Sequence, residues 1–98
     1  SAIDISTLTN VTFFRAFDNT ISALDVSNNA LLTRLEVNNN NLSSTDLDAI
    51  VNQLDTFGLL DGILSISGNQ GLTNAAQPAY DNLIAKGWLI DVPPPGPP

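Results

Sequence analysis

Apolar residues return along this chain at one fixed set of offsets. Between Leu32 and Leu42 the order is Leu32-x-x-Leu35-x-Val37-x-x-Asn40-x-Leu42. Leu35 and Val37 alternate with Arg34 and Glu36, as in a strand buried on one face, and Asn40 falls where the chain must turn. The same offsets fit Val11, Phe14, Ala16, Asn19 and Ile21, and again Ile21, Leu24, Val26, Asn29 and Leu31. A degenerate first copy has Ile3 and Ile5, with Leu8 at the Asn position. A weaker fifth copy has Leu64, Ile66 and Asn69, with Asp61 and Gly71 off pattern. Ile3 to Leu24 and Phe14 to Leu35 are equal steps, and Phe14 and Leu24 divide them nearly in half.

A repeat of about 20 residues predicts stacked coils, because one unit holds too few apolar side chains to close a core and completes it against its neighbour. Phe14/Ala16, Leu35/Val37, Leu64/Ile66 and Trp88/Ile90 are assigned to one parallel sheet. Ile3/Ile5 and Leu24/Val26 go to the opposite side, since a half-step is too short to leave a parallel strand and return beside it. Asn19, Asn29, Asn40 and Asn69 are expected to form a ladder, each side-chain amide bonding backbone groups of its own turn and of the neighbouring one.

After Leu42 the period breaks. Ser43 and Ser44 offer hydroxyl caps, Asp46 and Asp48 suit a first helical turn, and Leu47, Ile50, Val51 and Leu54 make one apolar face, with Gly58 beyond its end. A second helix takes Pro78 in its first turn, lines one face with Tyr80, Leu83 and Ile84, and closes at Lys86 and Gly87. Trp88, Ile90 and Val92 then alternate with Leu89 and Asp91 as a last strand. The units thus lengthen toward the end: Leu35 to Leu64 and Leu64 to Trp88 are both longer steps than Phe14 to Leu35. The expected fold is an α/β solenoid: one parallel sheet, with short extended segments and then two helices on the other side. Regular repeats span 3–42, a helical C-terminal cap 43–92, and 93–98 is a Pro-rich tail, expected to be extended polyproline.

Residues between the buried positions face outward on the sheet. In register they form the rows Phe13, Arg34, Ile63, then Arg15, Glu36, Ser65, then Phe17, Asn38, Ser67. Phe13, Arg15, Phe17, Arg34, Glu36, Asn38 and Ser65 are therefore the candidate binding residues. Phe13 and Phe17 flank Arg15, and aromatic and Arg side chains are the types that dominate interface energetics; the alternative is that the two rings pack against the N-terminal segment or an upstream repeat. Arg15 and Glu36 are expected to pair across strands.

Composition narrows the function. The chain has 98 residues, no Cys, His or Met, and a net charge of −7 with three cations, Arg15, Arg34 and Lys86. Three cations make no basic face for a nucleic acid, and no apolar run reaches the roughly 18–20 residues of a membrane span. Without Cys or His, thiol chemistry and the usual transition-metal ligands drop out. The acids, nine Asp and one Glu, are spread along the chain without a calcium-loop spacing or a paired glycosidase arrangement. No metal, no cofactor and no catalysis are expected. The missing Met implies an initiator removed or a longer parent chain, so any export signal would lie outside these residues.

Leu32-x-x-Leu35-x-Val37-x-x-Asn40-x-Leu42 matches the eleven-residue core segment of leucine-rich repeat proteins. The nested Leu-Asp-Val-Ser-Asn-Asn of residues 24–29 resembles the 21-residue bacterial subclass with Asn in both half-repeats. Residues 43–54, Ser67-Gly-Asn69 and Ala85-Lys-Gly-Trp88 resemble the helical ending of such arrays in bacterial surface and phage structural proteins. The resemblance, over roughly residues 3–92, implies a curved solenoid that binds protein or glycan on its concave sheet. It departs from the family in having about two repeats and no N-terminal cap over Phe14. The function implied is a non-catalytic binding module at the C-terminal end of an extracellular, cell-surface or virion protein. The alternative is a structural subunit of an assembly such as a virion appendage, self-associating through the uncapped N-terminal edge.

Overall fold

The computed structural model describes residues 2–95; residue 1 and residues 96–98, the end of the expected Pro-rich tail, lie outside them. The chain folds as a small α/β unit. Its strands are β1 (Ala2–Ile3), β2 (Phe13–Arg15), β3 (Ala23–Leu24), β4 (Arg34–Glu36), β5 (Ile63–Ser65) and β6 (Leu89–Ile90), and its helices are α1 (Ser44–Phe57) and α2 (Gln77–Ala85). A four-stranded parallel sheet runs in the order β2-β4-β5-β6, and β1 and β3 make a separate two-stranded parallel ladder.

The register follows the periodicity. Phe14 pairs with Leu35, and Leu35 with Leu64, while Ile3 pairs with Leu24 in the small ladder. Leu24, Val26, Leu35, Val37, Leu64 and Ile66 are buried in one core with Leu47, Ile50, Val51 and Leu54 of α1. Three departures appear. The closing position of the third copy, Leu31, is exposed, and the neighbouring Leu32 is buried instead. The last strand pairs Leu64 with Ile90 rather than Trp88, two positions further on than the apolar spacing suggested. Trp88 instead lies against Gly62, where an added Cβ would sit 2.4 Å from the indole, and its Nε1–H donates to the Leu59 carbonyl at 2.8 Å. One large ring fills a space that elsewhere takes an aliphatic side chain, and Gly62 makes room for it.

The helices begin and end for local reasons. The Ser43 hydroxyl accepts the Asp46 N–H at 3.2 Å, satisfying one of the donors a helix start leaves open. Gly58 ends α1 in the left-handed region at φ 73°. A short 3₁₀ turn, Asn74–Ala76, leads into α2. Ala79, Tyr80 and Leu83 are its buried face, continued back by Ala76 of the 3₁₀ turn; Ile84, expected on that face, is 47% exposed. The offsets 76, 79, 80 and 83 already complete one helical stripe, and Ile84 falls at its rim. Lys86 Nζ reaches back to α1, 2.6 Å from the Asp55 carboxylate and 2.9 Å from the Asp55 carbonyl. The cation thus lies at the carbonyl end of α1, where the helix dipole favours it.

The ladder is built from Asn40 and Asn69. Asn40 Oδ1 accepts the Ile21 N–H at 3.1 Å, and its amide donates to the carbonyls of Val37 at 2.8 Å, Ala16 at 3.0 Å and Asn38 at 3.3 Å. Asn69 repeats this with Leu42 N–H, Ile66, Val37 and Ser67. Asn29 donates to Ile5 and Leu8, but its buried Oδ1 has no partner among the described residues. Asn19 is exposed and bonds only the carbonyls of its own turn, Ala16 and Phe17. No strand of the four-stranded sheet precedes β2, so Asn19 has nothing to reach. Asp18, Asn39 and Gly68 turn the chain at the ends of β2, β4 and β5, all at positive φ (58°, 59° and 73°). Only Gly fits the last of these, because a Cβ there would lie 2.1 Å from Asn39 Oδ1. Among the described residues no helix is long and apolar enough to cross a membrane.

Candidate binding face on the four-stranded sheet

Strand alternation decides which side chains leave the core. Leu35 and Leu64 point in, so Phe13 and Arg15 of β2, Arg34 and Glu36 of β4, and Ile63 and Ser65 of β5 share the other face. Phe13 stands opposite Arg34, which is opposite Ile63, and Arg15 stands opposite Glu36, which is opposite Ser65.

Five of the seven candidate residues form one cluster. Glu36 takes both arginines: Oε1 accepts the Arg15 Nε–H at 3.0 Å, and Oε2 accepts the Arg34 Nε–H. The guanidinium carbons lie against the rings, Arg15 at 5.2 Å from the Phe13 centroid and 5.5 Å from that of Phe17, and Arg34 at 4.8 Å from that of Phe13. These separations are within cation–π range. Glu36 is 8% exposed, whereas Phe13 and Phe17 remain 45% and 38% exposed. The rings are therefore neither core nor covered by the N-terminal segment. Asn38 and Ser65 are half-buried beside the cluster; their backbone carbonyls accept from Asp18 and Val37, and their side chains make no hydrogen bond among the described residues.

Each guanidinium spends its Nε–H on Glu36, and the terminal Nη groups donate to nothing among the described residues. Two of the three cations in an acidic chain are thus held side by side on one face, with donors to spare. The Arg34 hydrogen bond lowers the Glu36 pKa most; burial opposes it and the Arg15 bond and charge add to it, so the carboxyl is held below its ordinary value. A folded-state pKa below the unfolded one contributes stability above the ordinary glutamate range and loses it as pH falls through the depressed value. The cluster should therefore stay intact through the ordinary glutamate range and come apart only below it. In a carbon-detected NMR titration, Arg34→Gln is expected to move the Glu36 midpoint upward by more than Arg15→Gln does; equal or absent shifts would contradict this assignment of causes.

Two features of the surface were not anticipated. Asp91, placed on the outer row, turns back to the backbone: Oδ1 accepts the Ile66 N–H at 2.7 Å and Oδ2 the Ser67 hydroxyl at 2.7 Å. The carboxylate takes the place of the backbone carbonyl that would accept the Ile66 N–H if the strand went on, because β6 ends at Ile90. On the opposite side of the molecule, Asp4, Asp25 and Asp46 line an open hollow of about 300 Å³ with Ser6 and Ser27. These three acids recur with the repeat period itself, a signal visible in the sequence. The Asp4 and Asp25 carboxylates accept the Ser6 and Ser27 N–H groups; the Ser6 hydroxyl and then its N–H hold the Asp4 pKa low, and the Ser27 N–H and then its hydroxyl do so at Asp25. Among the described residues no group of acids is arranged to hold a metal ion. Compared with known proteins, the chain matches no family model, no curated protein and no solved structure.

Proposed function

We propose that this chain is a non-catalytic interaction module of the leucine-rich-repeat kind, a short solenoid that binds a protein or glycan ligand through its sheet face. The observation that carries the proposal is the Phe13, Arg15, Phe17, Arg34, Glu36 cluster: exposed rings, fixed guanidiniums and unspent donors are what a recognition surface needs. The solenoid reading is supported by the recurrent offsets, by registers that pair each copy with the next copy on its own side, and by the Asn40 and Asn69 ladder. The cluster offers no nucleophile and no proton donor near neutral pH, in keeping with binding rather than turnover. A place at a bacterial surface or on a virion rests on the family resemblance alone.

The test is a paired screen of the labelled protein and its Phe13→Ser, Phe17→Ser double variant on a glycan array and an immobilised peptide library. Wild-type protein is expected to retain a discrete ligand set that the double variant loses while keeping its circular dichroism and mass. Ligands held equally by both proteins would overturn the assignment to this face. A second reading, a structural subunit of an assembly, is favoured by a separate observation. β2 is an edge strand, and along it Phe13, Arg15 and Phe17 turn their backbone N–H groups away from the sheet. That follows from the ladder, in which Ala16 and Asp18 donate to Glu36 and Asn38. Open edges of this kind are templates for pairing.

A further inference from the structure

We infer that the occupant of the open β2 edge is β6 of a second copy of this chain, so that copies stack head to tail and the four-stranded sheet continues from one to the next. The inference rests on the assembly reading above and names both the partner and the strand it offers.

The two edges of the sheet are complementary position by position. The rows across the sheet run Phe13, Arg34, Ile63, Leu89, and two positions on they reach Arg15, Glu36, Ser65 and Asp91. Adding a second copy in the same register sets Leu89 beside the second copy's Phe13, and Asp91 beside its Arg15. Leu89 is 68% exposed, the most exposed large apolar side chain described, and Phe13 is 45% exposed. The contact covers both, and the Asp91 carboxylate, which stays bonded to Ile66 and Ser67, contributes its charge beside the Arg15 guanidinium.

The backbone groups agree. Leu89 and Asp91 donate inward to Gly62 and Leu64, so the N–H groups of Ile90 and Val92 face out. In the parallel pattern they meet the carbonyls of Phe13 and Arg15 on the second copy. The next donor would be residue 94, a proline without an N–H, and its acceptor, the Phe17 carbonyl, is already satisfied by Asn19 Nδ2 at 3.0 Å. The ladder thus ends where both strands stop needing it. A symmetric pairing of two β2 edges about Arg15 fits worse, because it sets Arg15 against Arg15, and like charges directly opposite are destabilising. A head-to-tail contact leaves one β2 and one β6 free in every dimer, so it propagates. Each copy carries −7, and this repulsion is screened beyond about 8 Å at physiological salt.

The test uses two variants that each block one edge, Phe13→Lys at β2 and Leu89→Lys at β6, so that the two blocked edges also repel each other, followed by sedimentation velocity from micromolar to millimolar concentration in physiological salt. Thermal melts confirm folding of both. Wild-type protein is expected to form species beyond the dimer as concentration rises. Each variant alone should be monomeric, and the equimolar mixture should double in mass and stop there, because one good β2 meets one good β6. Wild-type assembly that Leu89→Lys leaves unchanged would overturn the head-to-tail pairing while sparing the assembly reading. A wild-type protein monomeric throughout would overturn both, and a mixture that stays monomeric would overturn the pairing of these two edges.

Discussion

Asn40→Leu is expected to cost this protein about 3–5 kcal/mol: roughly 1–3 kcal/mol for a buried N–H left unpaired, and about 0.5–1.5 kcal/mol for each further hydrogen bond lost. The two side chains are close in size, so the loss is one of hydrogen bonds and not of volume. Asn40 serves four backbone groups, the Ile21 N–H and the carbonyls of Ala16, Val37 and Asn38; the carbonyls keep a second donor in Asn19, Asn69 and Asp18, and the Ile21 N–H is left with none. The residue is 6% exposed, and water cannot replace it without opening the turn between β4 and α1. A domain of this size is stable by about 5–15 kcal/mol in all, so the variant should stand near the edge of folding. Denaturant melts of Asn40→Leu beside Asn19→Leu make the comparison. Asn19 occupies the same offset in an earlier copy but is exposed and serves only its own turn, and its replacement should cost less than about 1 kcal/mol, as surface changes do. Equal losses at the two sites would show that the amides do not act through the neighbouring strand.

The second large effect is expected at Gly62. Its backbone is not in the left-handed region, so alanine is conformationally acceptable; what forbids it is Trp88. An added Cβ would lie 2.4 Å from two indole carbons and 2.5 Å from a third. Trp88 is 2% exposed and tied to the Leu59 carbonyl, so the ring yields only by leaving its place and breaking that bond. Overpacking of this kind costs about 1–3 kcal/mol, and the displaced indole adds about 1 kcal/mol for its hydrogen bond. Since about 1 kcal/mol shifts the melting temperature of a domain this small by 4–8 °C, a fall of roughly 10 °C or more is expected. The chain has a single Trp, so its emission should move to the red before the global transition. Gly58→Ala is the control: nothing lies within 4 Å of its added Cβ, but φ is 73°, so only the conformational cost applies and emission should not shift. An unshifted Gly62→Ala spectrum would mean that Trp88 does not sit as described.

The parts of the fold legible in the sequence are those set by local periodicity. Alternation around Leu35 and Val37, together with the repeat period, yields β2, β3 and β4 with their register, because a one-residue slip would turn every core side chain out to water. The start of α1 was equally legible, since Ser43 caps through a contact within one helical turn. Spacing between apolar residues failed where one side chain changes size. Trp88 fills the place next to Gly62, and this moves Ile90, not Trp88, opposite Leu64. Ile84 was misplaced because periodicity does not say how wide the stripe covered by α1 is.

The candidate face was half legible. Which residues leave the core follows from alternation, so Phe13, Arg15, Phe17, Arg34 and Glu36 could be named from the chain alone. That Glu36 takes both arginines, and that the guanidiniums lie on the rings instead of reaching into solvent, depends on distances between strands one full repeat apart. The roles of Asp91 and Lys86 were hidden for a related reason. Each reaches a partner 24 to 31 residues away, and no local pattern marks a charged side chain that serves a distant backbone.

By itself, then, the sequence determined what repeats: the strands, their order and register, the buried stripe, and the turn at each Asn. These are short-range consequences of burying every second or every third to fourth side chain. Tertiary structure decided what happens where the repetition stops. It chose which asparagines are buried, because only a strand with a predecessor gives its amide something to reach. It also left β2 and β6 as the two edges of the sheet, with Asp91 and the prolines ending β6 along its length, because a sheet has two ends and nothing in a repeating pattern says how either one is finished.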